Sequence, residues 1–205
     1  MGMTLPAYIV LLLLVALLRL LELRISRRNQ RRLAAMEVDK IPEPHFCWMI
    51  LFHVGILISA GVEVVFLHRP FLPVLAAAMG IVFLLANCLR WWVIHVMAEH
   101  WNVQVMASAG LGVVVAGPFR WVRHPNYAAV FVELIALPLI HTAWITALVG
   151  AGIHCWILSR RLKVEESVLM SNRAYRTAMG SKPRFFPRLF QTAAKSSREG
   201  LRRSA

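Results

Sequence analysis

The most regular feature of the sequence is a series of long apolar runs. A bilayer core of roughly 30 Å needs about 20 apolar residues in an α-helix. Three runs meet this requirement, at 5–23, 46–67 and 71–97. Only His68-Arg69-Pro70 separates the second run from the third, and proline is well suited to the start of a helix. We therefore predict three transmembrane helices in the first half of the chain.

A fourth apolar run, over 127–158, is too long for a single crossing. Pro138 and the polar pair His141-Thr142 lie near its middle, and a proline interrupts the hydrogen bonds of a helix. The pattern predicts a hairpin with helices over 126–140 and 142–158. The expected fold class is thus an all-α integral membrane protein with about five transmembrane helices.

Composition and charge support this fold class. Of the 205 residues, 59% are hydrophobic and 16% are charged, whereas a soluble domain carries about 25% charged residues. The net charge of +13 could indicate nucleic acid, but loops on the cytoplasmic side of a membrane are also rich in Lys and Arg. We therefore predict membrane lipids as partners and no nucleic acid.

The cations also predict an orientation. They are concentrated after the first apolar run, between 98 and 125, and after Leu158. The positive-inside rule then places the N-terminus outside and the C-terminus inside. We expect a bacterial-type plasma membrane protein whose polar segments face the cytoplasm. The oligomeric state cannot be inferred from the sequence.

Three sections of the chain differ in character. Residues 1–97 hold the first three helices, and residues 98–188 hold the hairpin with its polar flanks. Residues 189–205 form a basic, serine-rich tail that we expect to be disordered. Within the middle section, 103–117 is rich in valine, which favours a strand or a re-entrant segment over a helix.

Cysteine and histidine do not indicate a metal or disulfide framework. The eight histidines show no HxxxH spacing, so no metal site is predicted. Cys47, Cys88 and Cys155 lie in or beside apolar runs without a CxxC spacing, and we expect buried free thiols.

We consider four ionisable residues as candidates at bilayer depth, where a charge is costly and usually marks a site or a buried pair. For Glu63 and Arg90 we favour either pairing between helices or snorkelling of the side chain to the membrane interface. His95 stands beside two tryptophans near a helix end and fits an interfacial position equally well. For Glu133 two interpretations stay open, a pairing with another helix and a place in the lining of an acceptor pocket.

Three polar segments carry the candidate chemistry, at 117–127, 161–166 and 182–187. Because a hairpin brings its two ends together, the first two segments are expected to lie side by side. The amides at the start of the helix after Pro125 favour an anion, and the ring of Tyr127 could stack on an adenine or a sulfonium. The alternatives are a simple i,i+4 pair between Arg161 and Glu165, and contact of the basic residues with lipid headgroups.

The order of these segments resembles a known family. Gly-Pro-Phe-Arg-Trp-Val-Arg-His-Pro-Asn-Tyr at 117–127 precedes the hairpin, Arg-Leu-x-x-Glu-Glu-x-x-Leu begins at Arg161, and Arg-Phe-Phe-Pro stands at 184–187. This arrangement is similar to the isoprenylcysteine carboxyl methyltransferase family. Within the family it most resembles the bacterial branch found with type III polyketide synthases, whose members methylate long-chain alkylpyrones.

The resemblance implies an S-adenosylmethionine pocket around the hairpin, closed by the C-terminal segment. The residues implied for cofactor binding are Gly117, Arg123, His124, Pro125, Tyr127, Glu165, Glu166 and Arg184. The residues expected to act on the acceptor are Arg123, Arg161 and Glu133. The expected reaction is methyl transfer to an enol or carboxylate oxygen of a lipophilic acceptor, such as an alkylpyrone or a prenylcysteine-like compound.

Two other functions remain open at this point. A sterol-type membrane reductase would share a hairpin with a cytoplasmic cofactor pocket, and would bind NADPH. A non-enzymatic lipid-binding protein would use the same polar cluster only as a headgroup anchor.

Overall fold

The computed structural model describes residues 4–35, 46–104 and 112–187, together with the backbone of 39–40 and 106–107. Within these ranges the fold is helical. The helices are α1 (Thr4–Ala34), α2 (Phe46–Phe66), α3 (Pro73–Met97), α4 (Pro125–Leu139), α5 (Trp144–Ser171) and α6 (Arg173–Met179). Two short strands, β1 (Asp39–Lys40) and β2 (Met106–Ala107), pair antiparallel.

The first five helices alternate in direction, which creates two ends of the bundle. At the end that we call the far end, Tyr8 Oη donates to Leu137 O at 3.2 Å and Thr142 Oγ1 donates to Pro70 O at 2.6 Å. The opposite end holds the last residues of α1 and α3 and the first residue of α4, and we call it the motif end. There Asn29 Nδ2 donates to the carbonyl of Ala98 at 2.9 Å.

The outer surface of the bundle is suited to lipid. Among the described residues, α1, α2 and the segment 73–100 that includes α3 are long and apolar enough to cross a membrane. Large side chains on these helices point outward, such as Leu13 at 64% exposed and Val74 at 85% exposed. The three predicted N-terminal helices are thereby confirmed as apolar helices of spanning length, and the protein is an integral membrane protein.

The predicted hairpin is present, with different helix ends. Helix α4 has 15 residues, a length of about 22 Å at 1.5 Å per residue, and is shorter than the three spanning helices. Helix α5 has 28 residues and continues to Ser171, well beyond the predicted end at 158. The extension 159–171 is rich in residues that favour helix, and it carries Glu165 and Glu166 on the helix itself. Five crossings and the orientation in the membrane remain predictions.

Glu63 fixes the turn of the hairpin from a neighbouring helix. Its carboxylate accepts hydrogen bonds from Ile145 N at 3.1 Å, Thr146 N at 2.7 Å and Thr146 Oγ1 at 2.7 Å. Arg69 Nε donates to the same carboxylate at 2.9 Å. A carboxylate at the first amides of a helix satisfies groups that lack an intrahelical partner. The predicted pairing of Glu63 with another helix is confirmed.

Several expectations need correction. The three cysteines are free as predicted, but all three are exposed on the bundle surface rather than buried. An outward thiol on an apolar helix costs little because the expected neighbour is lipid, which is as apolar as a protein core. In the described part of the valine-rich segment 103–117, the regular elements are the two-residue β2, in line with the expected strand, and the start of a 3₁₀ turn at Gly117–Arg120. The tail 189–205 lies outside the described residues.

Candidate active site

The segment before α4 is built around two special backbone positions. His124 is the N-cap of α4 and Pro125 is its first residue, the position where proline is best tolerated. Gly117 has φ of +54°, and a Cβ there would lie 2.7 Å from Val96 Cγ2 and 3.2 Å from Trp92 Nε1 on α3. Packing of the segment onto α3 therefore requires this glycine. Gly117 does not line the cavity described below, so its close approach is to α3 rather than toward a ligand.

The C-terminal segment lies directly on this same stretch of backbone. Three hydrogen bonds join them: Lys182 Nζ to Phe119 O at 2.7 Å, Arg123 N to Pro183 O at 2.9 Å, and His124 N to Arg184 O at 2.8 Å. The three polar segments found in the sequence are thus neighbours in the fold. Helix α6, which sequence analysis missed, leads into this contact, and the Asn172 side chain accepts from the amides of Ala174 and Tyr175 at its start.

The two adjacent glutamates have different surroundings. Glu166 accepts from Arg184 Nη2 at 2.6 Å, from His124 Nε2 at 3.2 Å, and pairs with Arg123 Nη1 at 3.2 Å. Glu165 accepts from the hydroxyl of Tyr127 and lines a large cavity, whereas Glu166 does not line it. Glu166 therefore holds the polar segments together, and Glu165 presents its carboxylate to open space.

The protonation states at this end follow from burial and charge. Burial lowers the pKa of His124, although the carboxylates of Glu165 and Glu166 oppose that shift. For Glu166, burial favours the protonated form, but hydrogen bonds from Arg184 and the charge of Arg123 outweigh it and lower the pKa. Burial and the charge of Glu165 raise the pKa of Tyr175 to about 12. At neutral pH the site thus holds a neutral His124, an ionised Glu166 and a protonated Tyr175.

One cavity connects the motif end with the interior of the bundle. Its volume is about 1220 Å³, larger than the roughly 300–1,000 Å³ of a typical single-ligand pocket. The wall at the motif end is polar and includes His124, Asn126, Tyr127, Glu165 and Tyr175. The inner wall is mostly apolar and includes Leu20, Leu57, Val130 and Ile157. The space is sufficient for a polar ligand and an apolar ligand together.

Arg161 stands between the polar and apolar parts of this cavity. It lies one helical turn before Glu165 on α5, and its guanidinium carbon is 5.6 Å from the centre of the Tyr127 ring. It also donates to the carbonyl of Val103. A cation over an aromatic face is held in place by the ring's quadrupole. This geometry places a positive charge where the two parts of the cavity meet.

Glu133 belongs to a buried network of charges behind the inner wall. Arg19 donates to Glu133 Oε2 at 2.8 Å and to Glu22 Oε1 at 2.5 Å, and Arg90 donates to Glu22 Oε2 at 2.5 Å. Arg19, Glu22 and Arg90 line the main cavity, but Glu133 does not. The interpretation of Glu133 as a helix-pairing residue therefore fits the structure better than a place in the acceptor pocket. The predicted pairing of Arg90 is confirmed.

Sequence analysis missed Arg19 and Glu22. Both lie inside the first apolar run, three residues apart, where opposite charges on one helix face are neighbours. They could have been identified from the sequence, because two charged residues within an apolar run are costly at bilayer depth and usually mark a site or a buried pair. By contrast His95, the fourth candidate at bilayer depth, is exposed on α3.

Comparison with known proteins confirms the predicted resemblance. The model of the Isoprenylcysteine carboxyl methyltransferase (ICMT) family matches residues 78–171. This range begins within α3 and ends with α5, so it contains the 117–127 motif, the hairpin and both glutamates. The match supports a membrane methyltransferase.

Two curated relatives align over most of the chain. An uncharacterized protein of Bacillus subtilis (strain 168), YpbQ, is 28% identical over 164 residues, covering 77% of this chain and 95% of the relative. An uncharacterized protein of Haemophilus influenzae is 29% identical over 153 residues, covering 74% of this chain and 88% of the relative.

A solved structure shares the fold. The chain is similar to the eukaryotic intramembrane Ras methyltransferase ICMT, with a TM-score of 0.50 and 22% sequence identity. The similarity covers 64% of this chain and 50% of that chain. The helical bundle thus shares its fold with a solved intramembrane methyltransferase.

Proposed function

We propose that this protein is an S-adenosylmethionine-dependent O-methyltransferase of the membrane that acts on a lipophilic acceptor. The observation that carries the proposal is the single cavity that joins a polar wall at Glu165 and Tyr127 to an apolar interior formed by the helices. Methyl transfer to a lipid requires such a space, because a water-soluble donor and a membrane-soluble acceptor must meet within it.

The polar wall fits a cofactor with many hydrogen-bonding groups. Three residues that line the cavity near the motif end each have a buried polar atom with no hydrogen-bond partner among the described residues: Asn102 Oδ1, Arg123 Nε and Asn126 Oδ1. Buried polar atoms are almost always paired in folded proteins. Two acceptors and one donor on one wall therefore favour a polar ligand there, and the carboxylate of Glu165 adds an acceptor for hydroxyl or amino groups.

The chemistry requires little from the protein beyond positioning. When bound, S-adenosylmethionine would supply a methyl group on a sulfonium sulfur, a good electrophile for an anionic oxygen. A carboxylate or an acidic enol is largely ionised at neutral pH, so a strong general base is not required for either acceptor. Arg161 would orient that anion, Arg123 and Glu166 would hold the C-terminal segment in place, and the segment would exclude water. Orientation and exclusion of water together can contribute several kcal/mol.

For the acceptor we propose a long-chain compound such as an alkylpyrone or a prenylcysteine-like carboxylate. The apolar inner wall fits an alkyl chain. The basic residues at the motif end support a site at the cytoplasmic face of the plasma membrane, the side that the positive-inside rule favours for Lys and Arg. The acceptor would then enter from the bilayer and the cofactor from the cytoplasm.

The test is a set of binding titrations on the protein purified in detergent. S-adenosylmethionine, its demethylated product and NADPH are titrated by calorimetry into the wild type, Glu165→Gln and Glu99→Gln. Glu99 is 62% exposed and pairs with Arg32 on the surface, so it provides a matched control. We expect both methyl-donor compounds to bind, about tenfold more weakly to Glu165→Gln, as expected when a charged hydrogen bond is lost, and equally well to Glu99→Gln.

The other outcomes separate the alternatives. Binding of NADPH alone would establish the reductase instead. Binding of none of the three by a folded wild type would overturn the methyltransferase and leave the polar cluster as a lipid anchor.

A further inference from the structure

Two histidines line the inner, apolar part of the cavity. His53 lies on α2 and His154 on α5, and their ring centres are 6.1 Å apart in an edge-on arrangement. His154 is only 6% exposed. Its ring stacks on Phe52 at 6.0 Å and lies near Phe131 at 6.1 Å. Two imidazoles among phenylalanines form a small polar site within an apolar wall.

Some ring nitrogens of these two histidines can still form hydrogen bonds with a ligand. His53 Nδ1 lies 2.7 Å from Met49 O. A carbonyl only accepts, so Nδ1 carries the proton, and in a neutral ring Nε2 is then an acceptor. Both ring nitrogens of His154 are buried without a hydrogen-bond partner among the described residues. Leaving such a group unpaired costs roughly 1–3 kcal/mol. A ligand that pairs with His154 would recover this free energy.

A buried histidine outside the cavity, His141, serves as a comparison for His154. His141 at the far end is 2% exposed, and its two ring nitrogens also lack a partner in the described part of the chain. It packs on Tyr8 at 5.2 Å and on Phe71 at 5.4 Å, and it lines no part of the main cavity. His141 thus resembles His154 in burial and in lack of pairing, but it does not adjoin the main cavity.

The two-histidine site lies directly beyond Arg161. Met49 lies between Arg161 and this site. Its Sδ is 2.7 Å from Arg161 Nη1, and its carbonyl oxygen is 2.7 Å from His53 Nδ1. His154 precedes Arg161 by seven residues on α5, a rise of about 10 Å. A ring-shaped head group held at Arg161 would therefore extend toward the histidines, with its alkyl chain along the apolar wall.

We propose that His53 and His154 form a subsite for a second oxygen of the acceptor's head group, distinct from the oxygen that is methylated. This proposal rests on the proposed function. A hydroxyl at this place could donate to His53 Nε2 and accept from the N–H of His154, and a carbonyl could accept from His154. The subsite selects head groups with two oxygens on one ring, such as a pyrone with an acidic enol, over lipids with a single polar group.

The test compares two probes with the same alkyl chain, pentadecylresorcinol with two hydroxyls and meta-pentadecylphenol with one. Their binding is measured by calorimetry in detergent, in the presence of the demethylated cofactor, for the wild type, His154→Phe and His141→Phe. We expect the wild type to prefer the resorcinol by about tenfold, the equivalent of one hydrogen bond. His154→Phe should reduce that preference to less than about twofold, and His141→Phe should retain it.

The outcomes distinguish failure of the subsite from failure of the proposed function. A wild type that binds the demethylated cofactor but shows no preference, or a His154→Phe variant that keeps it, overturns the subsite alone. A wild type that binds no form of the cofactor overturns the proposed function. His53→Leu changes a half-buried ring of the same subsite and is expected to lose the preference too, so the proposal can still be refuted if His154→Phe does not fold.

Discussion

Carboxylates lie at both ends of the α4–α5 hairpin, Glu63 from α2 at the far end and Glu165 of α5 at the motif end, but their surroundings differ. At the far end, the oxygens of Glu63 accept from two backbone amides, a hydroxyl and a guanidinium, and no large cavity adjoins them. At the motif end, Glu165 faces a cavity whose wall contains unpaired polar atoms. A carboxylate whose hydrogen bonds are all made within the protein stabilises the fold, and one that faces unpaired atoms across a cavity is positioned for a ligand.

The same contrast separates neighbours within the motif end. Glu166 resembles Glu63, because cations and a histidine surround it and it faces away from the cavity. Glu165 differs from Glu166 by one position on α5, a rotation of about 100°, and that rotation gives it a different environment. The comparison therefore predicts that far-end changes affect stability, and that motif-end changes affect ligand binding unless they disturb Glu166 or the packing of Gly117.

The largest effect is expected from Glu63→Ala. The change removes the carboxylate that pairs with the first amides of α5 and with the Arg69 guanidinium. Loss of one partner of a buried ion pair typically reduces the free energy of unfolding by about 3 kcal/mol. Thermal unfolding in detergent should show a clear fall in Tm. Calorimetry on the folded protein should show unchanged affinity for the demethylated cofactor. A loss of cofactor affinity with normal Tm would contradict the division between the two ends.

The next effect is expected from Gly117→Ala. A methyl group there would clash with Val96 on α3, and φ of +54° is unfavourable for alanine, so we expect a loss of about 1–2 kcal/mol in stability. Gly80→Ala is the matched control, because nothing lies within 4 Å of its added Cβ. Alanine in a helix interior favours stability by roughly 0.5–1 kcal/mol relative to glycine. Equal Tm values for the two variants would show that the segment does not pack on α3 as described.

A smaller effect is expected from Arg184→Gln. The Arg184 side chain is 54% exposed, so solvent screens its pair with Glu166 and the pair should contribute about 1 kcal/mol or less. The C-terminal segment should become more sensitive to limited proteolysis, and the affinity for the demethylated cofactor should fall by a few-fold. High salt should produce the same change in the wild type. Resistance to proteolysis equal to that of the wild type would mean that the backbone hydrogen bonds alone hold the segment.

The smallest effect is a loss of stability at mildly acidic pH. The pKa of His124 is lowered in the folded protein, so the folded state binds this proton less readily than the unfolded state. The neutral His124 therefore contributes to stability at pH values above its pKa in the unfolded chain, about 6.5. This contribution is lost as pH falls below that value and through the lower pKa of the folded protein. Glu166, whose pKa is also lowered, adds a further loss below about pH 4.3.

Thermal unfolding of the wild type and His124→Gln between neutral pH and about pH 5.5 tests this. Glutamine can donate to Glu166 as the histidine does, but it does not titrate. The variant should therefore show a flatter dependence of Tm on pH. Identical pH profiles would exclude His124 as the titrating group.

Much of the fold could be predicted because the membrane imposes simple rules on sequence. Helix length follows from the thickness of the bilayer, so the runs at 46–67 and 71–97 matched α2 and α3 closely. The first helix was underestimated because its extension at the motif end is polar and basic, which a hydropathy criterion excludes even though Arg and Leu favour helix. The end of α5 was underestimated for the same reason.

The candidate site could be predicted in part. The motifs identified the segments that meet at one end, because a hairpin necessarily joins its two flanks. The motifs did not distinguish Glu165 from Glu166, because the two residues are adjacent near the end of α5. Only the packing of 182–187 shows which of the two carboxylates is covered. Arg19, Glu22 and His53 were missed because they lie far from the motifs in sequence, and His154 because it lies within the apolar run of the hairpin. All four meet the cavity only through helix packing.

The sequence by itself determined the helices, their order, the hairpin and the resemblance to a methyltransferase family, because these depend on local periodicity and on contiguous motifs. Only the tertiary structure decided which polar residues face a common cavity and which are paired within the protein. The physical reason is that burial and hydrogen-bond pairing depend on neighbours from several helices. The rotation of one helix against another, which sets these neighbours, is not encoded in any single segment.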